Sequence, residues 1–307
     1  MLGEIFYWIL NVSILGSVAG LMVLFLRRIR GLPRFAIYLL WGAPFLRFWL
    51  AVGIANKYSL LNFISRYTMR PIAVWESAPS TLEFSMMNSI QAATDYFPIE
   101  YKTDLLKAVF NTAGMIWIII AIGAIFSSVL LYVYTKSALK EAECLKENIY
   151  RSDKLLSPAV YGILKPKIVL SMNIADGDLE YILKHEQVHI RRRDNLWRAM
   201  AVFTACIHWF NPLIWIFLKY FFADMEIACD AGVLKQLEES DKKAYATALL
   251  SCSAGKTYYA SAFGGAKTKL RIENILSYKK LTLISTICSA AFFILIIVLM
   301  LTNAIGG

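Results

Sequence analysis

The segment His185-Glu186-Gln187-Val188-His189 has the residue types and spacing that most directly suggest chemistry. Two imidazoles four residues apart on a helix lie one turn apart on the same face, so both can bind a single Zn²⁺. The carboxylate of Glu186 lies beside them, where it can take a proton from a metal-bound water. The pattern predicts His185 and His189 as metal ligands and Glu186 as the general base of a metallohydrolase. The alternative is a histidine pair on an ordinary amphipathic helix.

A catalytic zinc site needs a third protein ligand and one open position, and the downstream segment 224–230 offers acidic candidates. Glu226 and Asp230 are four residues apart and therefore share one helix face. We predict Glu226 as the third ligand and Asp230 as a partner that orients the imidazole of His185. The alternative is a solvated acidic face. Cys229 is interpreted as a packed thiol, because the other three residues already supply the metal.

His208 is the only histidine outside the HExxH segment. Its ring could stabilise the oxyanion of a transition state, or it could be a structural histidine paired with a backbone group. The sequence leaves both roles open and favours the structural one.

The composition places this site in a membrane protein. The 307 residues are 58% hydrophobic and 18% charged, and their mean hydropathy is +0.53. Soluble domains contain roughly 45–50% apolar residues, so an ordinary cytosolic enzyme and a disordered chain are both disfavoured. We predict a mainly α-helical polytopic protein, with a small β element in the segment 157–171. Four segments are long enough to span a bilayer as helices: 5–26, 35–55, 108–134 and 281–302.

Basic residues set the expected orientation, because loops rich in Lys and Arg stay in the cytoplasm. The short loop after the first span is cytoplasmic by this rule, which places both termini and the segment 56–107 outside. The inner domain, 135–280, carries 22 basic and 16 acidic residues. The net charge of +10 is thus a signal of topology, and we predict no direct binding to nucleic acid. The membrane region is then 1–134, followed by the inner domain and by 281–307, the last span with a short outer tail.

A further apolar stretch, 199–222, is interrupted by Asn211-Pro212. Asn can cap a helix and Pro suits the first turn of one, so the pair predicts the end of one helix and the start of another. Each half has about 11 residues, or about 16 Å of helix, which is too short to cross a bilayer. We predict a helical hairpin, packed in the inner domain or dipping into the inner leaflet. A crossing here would put Glu226 on the opposite side of the membrane from the HExxH segment.

Five segments resemble the BlaR/MecR-type integral-membrane zinc metallopeptidases, which are gluzincins that act as bacterial antibiotic sensor-transducers. The resemblance implies a gluzincin-type domain in the cytoplasm and one Zn²⁺ per chain, bound by His185, His189 and Glu226. Glu186 is the general base in this comparison, and the expected location is the bacterial plasma membrane. The matching segments are SPAVYGILKPKIVLS (157–171), HEQVHIRRRD (185–194), HWFNPLIW (208–215), EIACD (226–230) and FGGAKTKLRIENIL (263–276).

The resemblance also implies a signalling role, in which an extracellular event activates proteolysis on the cytoplasmic side. The expected substrates are a winged-helix transcriptional repressor and the chain itself, and a homodimer is left open. Members of the family cut themselves in the region that corresponds to 251–268, which is rich here in small residues. We place the bond near Ser261, Ala262 and Phe263.

One departure from the family pattern concerns the sensor. Well-known members continue after the fourth span into a penicillin-binding domain, whereas this sequence ends five residues after it. The sequence is therefore either a piece of a longer protein or a homologue that senses in another way. The sequence leaves two other functions open: a housekeeping or prenyl-protein-type membrane protease, which normally has more spans, and a ligand-sensing scaffold with an inactive zinc site. An intact Glu186 argues against the scaffold.

Overall fold

The computed structural model describes residues 2–29, 32–50, 56–59, 62, 104–139, 141–155, 157–253, 268–278 and 282–303. The described part of the chain is mainly helical, with one small sheet. Its helices are α1 (Leu2–Leu26), α2 (Arg34–Leu40), α3 (Gly42–Arg47), α4 (Asp104–Ala138), α5 (Asp176–Arg192), α6 (Asp194–Ile207), α7 (Pro212–Leu234), α8 (Lys242–Ser253), α9 (Thr268–Leu276) and α10 (Leu283–Leu301). Its strands are β1 (Glu143–Lys146), β2 (Ile149–Ser152), β3 (Ala159–Tyr161) and β4 (Lys167–Ser171).

Three described helices, α1, α4 and α10, are long and apolar enough to cross a membrane. They coincide with three of the four predicted spans. The second predicted span, 35–55, is described only as far as residue 50 and contains α2 and α3. Pro44 has no N–H to donate to the Leu40 carbonyl, and the helix is interrupted at Trp41, whose backbone is still right-handed helical. A fourth crossing helix therefore stays a prediction.

The sequence break at Asn211-Pro212 corresponds to the start of α7. The Asn211 side chain accepts a hydrogen bond of 2.9 Å from the Leu213 N–H, and Pro212 is the first helical residue. Helix α6 ends just before, at Ile207. From Pro212 the helix runs without interruption to Leu234, so the apolar half of the hairpin and the acidic segment 224–230 form one rigid element.

The tip of this hairpin contacts the middle of two apolar helices, α1 and α4. The Asn211 amide donates hydrogen bonds of 2.8 and 2.7 Å to the hydroxyls of Ser13 and Ser17 in α1. The Trp117 indole of α4 donates a bond of 2.8 Å to the Ile207 carbonyl. The Trp117 contact satisfies a carbonyl at the C-terminal end of α6, where a helix has no donor of its own.

The main hydrophobic core joins α1, α2, α3, α6, α7 and α10. Its centre is aromatic: Phe217 and Phe221 of α7 pack against Trp41, which lies between α2 and α3, with ring centroids 5.8 and 6.5 Å from the Trp41 ring. Helix α1 approaches closely at Gly20, where an added Cβ would lie only 2.3 Å from the Phe217 ring. A residue without a side chain is therefore required at this crossing.

The sheet lies next to α5 and has the strand order β1-β2-β4-β3. Strand β4 pairs parallel with β2 and antiparallel with β3, which leaves β3 at an edge. Ile168 and Leu170 of β4 pack on Ile182 of α5 and so fix the helix that carries the HExxH segment. Strands β3 and β4 lie in the segment expected to hold the β element, whereas β1 and β2 were not predicted.

Arg47, inside the second predicted span, ties α3 to the C-terminal end of α10. Its guanidinium donates to the carbonyls of Met300 and Thr302, at 2.9 and 2.7 Å, and to the Asn303 side chain at 2.9 Å. A cation is favourable there because a helix ends in unpaired carbonyls and partial negative charge.

Replacement of Gly20 tests the α1–α7 crossing. The Gly20→Ala variant should lower the free energy of unfolding by about 1–3 kcal/mol, as overpacking of a tight core does. The Gly123→Ala variant is the matched control, since an added Cβ on this residue of α4 meets nothing within 4 Å. Thermal unfolding of both variants in detergent measures the difference. Equal melting temperatures for the two would contradict the close approach.

Candidate metal centre

Helix α5 places His185, Glu186 and His189 together in a buried position. One side of α5 packs on the sheet, and Val188 packs against α7 at Gly232. An added Cβ at Gly232 would lie 2.9 Å from the Val188 side chain, so the glycine allows the two helices to approach. This approach brings the acidic segment of α7 to the two histidines.

Three donor atoms converge between α5 and α7. The Nε2 atoms of His185 and His189 are 3.2 Å apart, and Oε2 of Glu226 lies 3.5 and 3.7 Å from them. Ligands of a tetrahedral Zn²⁺ with bonds of about 2.0–2.1 Å are about 3.3–3.4 Å apart. Two imidazoles and a carboxylate are also a common donor set for catalytic zinc. The three residues therefore fit the ion and leave one position open.

Cys229 is the other candidate for a third ligand. Its Sγ and the two histidine donors lie within 4.8 Å of one another, which is a looser set than the one that contains Glu226. Burial alone would raise the pKa of the Cys229 thiol, yet the neighbouring imidazoles hold it below its usual value. The thiol already has a partner, since it donates to the His185 carbonyl at 3.3 Å. The geometry favours Glu226.

Asp230 and Tyr245 together contact the first imidazole. Nδ1 of His185 lies 2.9 Å from the Tyr245 hydroxyl oxygen and 3.3 Å from Oδ1 of Asp230. The Tyr245 hydroxyl itself donates to Asp230 at 2.8 Å, so Nδ1–H can donate to the tyrosine oxygen. With Nδ1–H engaged in this way, Nε2 carries the lone pair that a metal would bind, and the Arg271 guanidinium lies 3.3 Å from this atom. Asp230 thus lies where the sequence places it, and Tyr245 of α8 is an unpredicted partner.

Arg271 of α9 is a second residue that the sequence analysis missed. Its guanidinium donates two hydrogen bonds, of 2.8 and 2.7 Å, to Asp230 and lies 3.5 Å from Oε2 of Glu226. Burial alone would favour neutral acids, but Arg271 lowers the pKa of Asp230 to about 2. For Glu226 too, burial is outweighed, here by His189 and Arg271, and the pKa is well below its usual range. Both groups are carboxylates at neutral pH.

The second imidazole is held from the opposite side. Nδ1 of His189 lies 2.6 Å from Oδ2 of Asp194, a fully buried residue at the start of α6. Arg193 has a left-handed backbone (φ 56°) that ends α5 and directs Asp194 back toward the histidine. The other carboxylate oxygen of Asp194 accepts a hydrogen bond of 2.9 Å from Tyr38 of α2.

A cavity of about 430 Å³ opens beside the metal site. Its walls come from α4, α6 and the edge strand β3, and Glu226 and Arg198 line one end. Arg198 donates a bond of 2.7 Å to Oε1 of Glu226, the oxygen that faces away from the histidines. Asn195 holds the edge strand through two hydrogen bonds of 3.0 Å to its backbone, at Val160 and Gly162.

His208 lies outside this cluster. It is fully buried between α6 and α7, and its Nε2 donates to the Phe48 carbonyl at 3.1 Å. Burial lowers its pKa to about 4, so the ring is neutral at physiological pH. The structure thus places His208 with a backbone partner. Ser261, Ala262 and Phe263, the predicted cleavage region, lie outside the described residues.

Comparison with known proteins identifies the family. The sequence profile of the BlaR1 peptidase M56 family matches residues 7–275. The chain belongs to this family. M56 proteins are metallopeptidases, and a metal cofactor agrees with the histidines that α5 brings together. Together with the apolar helices, the likeness supports a bacterial membrane protein.

Several relatives are named as methicillin resistance or regulatory proteins. The methicillin resistance mecR1 protein of Staphylococcus aureus is 25% identical over 286 residues, which cover 81% of this chain and 47% of the relative. The regulatory protein BlaR1 of the same species is 24% identical, over 80% of this chain and 47% of the relative. BlaR1 of Bacillus licheniformis is 29% identical over 157 residues, 48% of this chain and 26% of the relative. The M56 chain thus spans about half the length, or less, of these relatives.

Metal analysis can decide between Glu226 and Cys229. The Glu226→Gln variant should lose most of its bound zinc, because an amide is a much weaker ligand than a carboxylate. The Cys229→Ala variant, which removes a side chain from the same turn of α7, should keep about one zinc per chain. Elemental mass spectrometry of the purified proteins gives the ratio. Zinc loss from Cys229→Ala alone would assign the third ligand to the thiol.

Proposed function

We propose that this M56 chain is a membrane-embedded zinc endopeptidase of a BlaR/MecR-type signalling system. The observation that carries the proposal is the convergence of two imidazoles and one carboxylate, with the buried Glu186 next to His185 on the same helix. A bound Zn²⁺ would activate water and polarise a peptide carbonyl. Glu186 would take the proton of that water and pass it to the leaving amine. His185, His189 and Glu226 would hold the ion, and Asp230 would orient His185.

The cavity beside Glu226 supports a peptide as the substrate. Strand β3 is at an edge of the sheet and forms part of the cavity wall. An extended peptide can add to such an edge as a further strand, and this mode of binding requires little of its sequence. The apolar walls can accept a large side chain next to the bond that is cut. An extended substrate in this position would run past Glu226.

Contacts at the two ends of α1 support a cytoplasmic site. At its N-terminus, the Gly3 N–H donates to Asn111 of α4 at 3.1 Å. Just after its C-terminus, Arg27 pairs with Asp224 at 2.6 Å, two residues before Glu226. The zinc site thus lies at the end of α1 where the basic loop begins, and this loop is expected in the cytoplasm. Both termini would then be extracellular, with 135–280 inside and the hairpin 199–222 entering the membrane without crossing it.

Self-cleavage near Ser261, Ala262 and Phe263 is part of the proposal. The segment that contains these residues joins α8 to α9. Each of these two helices contributes a contact to the metal site, Tyr245 from α8 and Arg271 from α9. The two helices that flank the segment are therefore both anchored at the metal site. A winged-helix repressor is the proposed second substrate, and homodimer formation stays open.

Mass spectrometry of the intact chain tests the enzyme. Wild-type protein with zinc should release a fragment that contains α10, through a cut between residues 251 and 268, and should cleave a cognate repressor. The Glu186→Gln variant should do neither while it keeps its zinc, because it lacks only the proton acceptor. Equal cleavage by both proteins would point to a contaminating protease. Zinc binding with no cleavage by either protein, under inducing conditions, would favour a sensing scaffold with an inactive site.

Cysteine labelling tests the topology. Single cysteines at Asp178 and Gln236, in a background without the native exposed thiols, should react with an impermeant reagent from the same side. A cysteine at Lys57, in the segment expected outside, should react from the other side. Reaction of positions 178 and 236 from opposite sides would show that 199–222 crosses the membrane. Reaction of positions 178 and 236 from outside and of position 57 from inside would reverse the proposed orientation.

A further inference from the structure

We propose that Tyr38, a residue of the membrane region, is a positioning residue of the metal site that acts on His189 through Asp194. The inference rests on the proposed zinc function and extends it. It assigns part of the support of a metal ligand to α2, which lies about 150 residues before the HExxH segment in the sequence.

The hydrogen bonds form a continuous chain from α2 to the metal donors. The Tyr38 hydroxyl donates to Oδ1 of Asp194 at 2.9 Å, and Oδ2 of Asp194 lies 2.6 Å from Nδ1 of His189. Nε2 of the same imidazole is one of the three converging donors. Both oxygens of Asp194 are thus used, one to fix the imidazole and one to be fixed by the tyrosine.

Because the residues are buried, the loss of either hydrogen bond is unfavourable. Asp194 is 0% exposed and Tyr38 is 6% exposed, so water does not readily replace a missing partner. Leaving a buried acceptor without its hydrogen bond is unfavourable, more so for a charged group. A carboxylate that loses one of its two fixed contacts can rotate, and the imidazole bonded to it then loses its defined orientation.

Packing fixes the position of the Tyr38 hydroxyl. The Tyr38 ring stacks on Phe221 of α7, with centroids 5.7 Å apart and planes at 17°. The guanidinium of Arg192 also lies over the Tyr38 ring, 4.3 Å from its centroid. Its Nε is also 3.3 Å from Oδ1 of Asp194, so it adds charge to the oxygen that the hydroxyl already contacts. The ring is therefore held by α5 and α7, the two helices that carry the metal donors.

A second buried hydrogen bond from this part of the membrane region also reaches a carboxylate near the metal site. Trp41 follows directly after α2, and its indole donates to Oδ2 of Asp224 at 2.9 Å; this oxygen also pairs with Arg27. Helix α2 and the residue after it therefore reach His189 and the helix of Glu226 through separate buried carboxylates. Only the Tyr38 contact leads directly to a metal ligand.

Metal affinity of the full-length chain in detergent is the appropriate measurement. Competition with a chelator should show weaker zinc binding for Tyr38→Phe, by no more than the roughly 10- to 100-fold that loss of a direct partner of a ligand histidine causes. The absorption spectrum of the Co²⁺-substituted protein should change as well, because the geometry around the metal is altered. Tyr220→Phe is the matched control: it removes the same hydroxyl from α7, and its ring stacks on Arg27 instead. It should keep wild-type affinity and the wild-type spectrum.

A double-mutant cycle tests whether Tyr38 acts through Asp194. Asp194→Asn should weaken zinc binding at least as much as Tyr38→Phe, and the double variant should be no weaker than Asp194→Asn alone. If Tyr38→Phe does not fold, p-aminophenylalanine and p-methoxyphenylalanine at position 38 give the same comparison, since only the first can donate. Full affinity for the variant without a donor, or independent additive losses, would overturn the inference.

The same data separate this inference from the proposed zinc function. If His189→Ala abolishes zinc binding and Tyr38→Phe has no effect, only the role of Tyr38 is wrong. If the wild-type chain binds no zinc, or His189→Ala binds it normally, the metal site and the role of Tyr38 are both wrong.

Discussion

The burial of three carboxylates around two imidazoles is the constraint on which the rest of this structure depends. Glu226, Asp230 and Asp194 are close together and largely removed from water, and each isolated buried charge would cost several kcal/mol. The cost is offset only if every carboxylate has a cation or a donor in the correct place. Those partners come from four different elements: Arg198 from α6, Tyr245 from α8, Arg271 from α9 and Tyr38 from α2.

This requirement explains why the membrane helices and the metal-binding part form one unit. In the sequence the two parts meet near residue 134, but the main hydrophobic core contains residues from before and after this point. Asp194 and Asp224 would be buried without their partners if α1 and α2 were removed, since Tyr38, Trp41 and Arg27 satisfy them. The segment 135–280 by itself would therefore expose apolar surface and also leave two carboxylates incompletely paired.

Local rules explain what the sequence could predict. The HExxH spacing, the pairing of Glu226 with Asp230, and the cap at Asn211 each depend on residues within about one turn of a helix. Tyr38, Tyr245 and Arg271 act across 40 or more residues, and no periodicity relates them to the histidines. Arg271 lies in a segment that resembles the M56 proteins, so the sequence marks this segment as relevant. It does not predict the contact of Arg271 with Asp230. Strands β1 and β2 escaped prediction because they are short and mostly polar.

The contacts around the metal site also connect it to the membrane helices by two routes, one through α2 and α3 and one through α9 and α10. Helix α2 contacts His189 through Asp194, and it is followed directly by α3, whose Arg47 binds the end of α10. Helix α10 follows α9 in the chain, and Arg271 of α9 returns to Asp230 and Glu226. A displacement between α3 and α10 therefore has to be absorbed at Arg47, or it reaches the metal donors from two directions. Because packed interfaces tend to switch between discrete arrangements, a small displacement of α3 against α10 would in this way alter the geometry of the buried site without unfolding it.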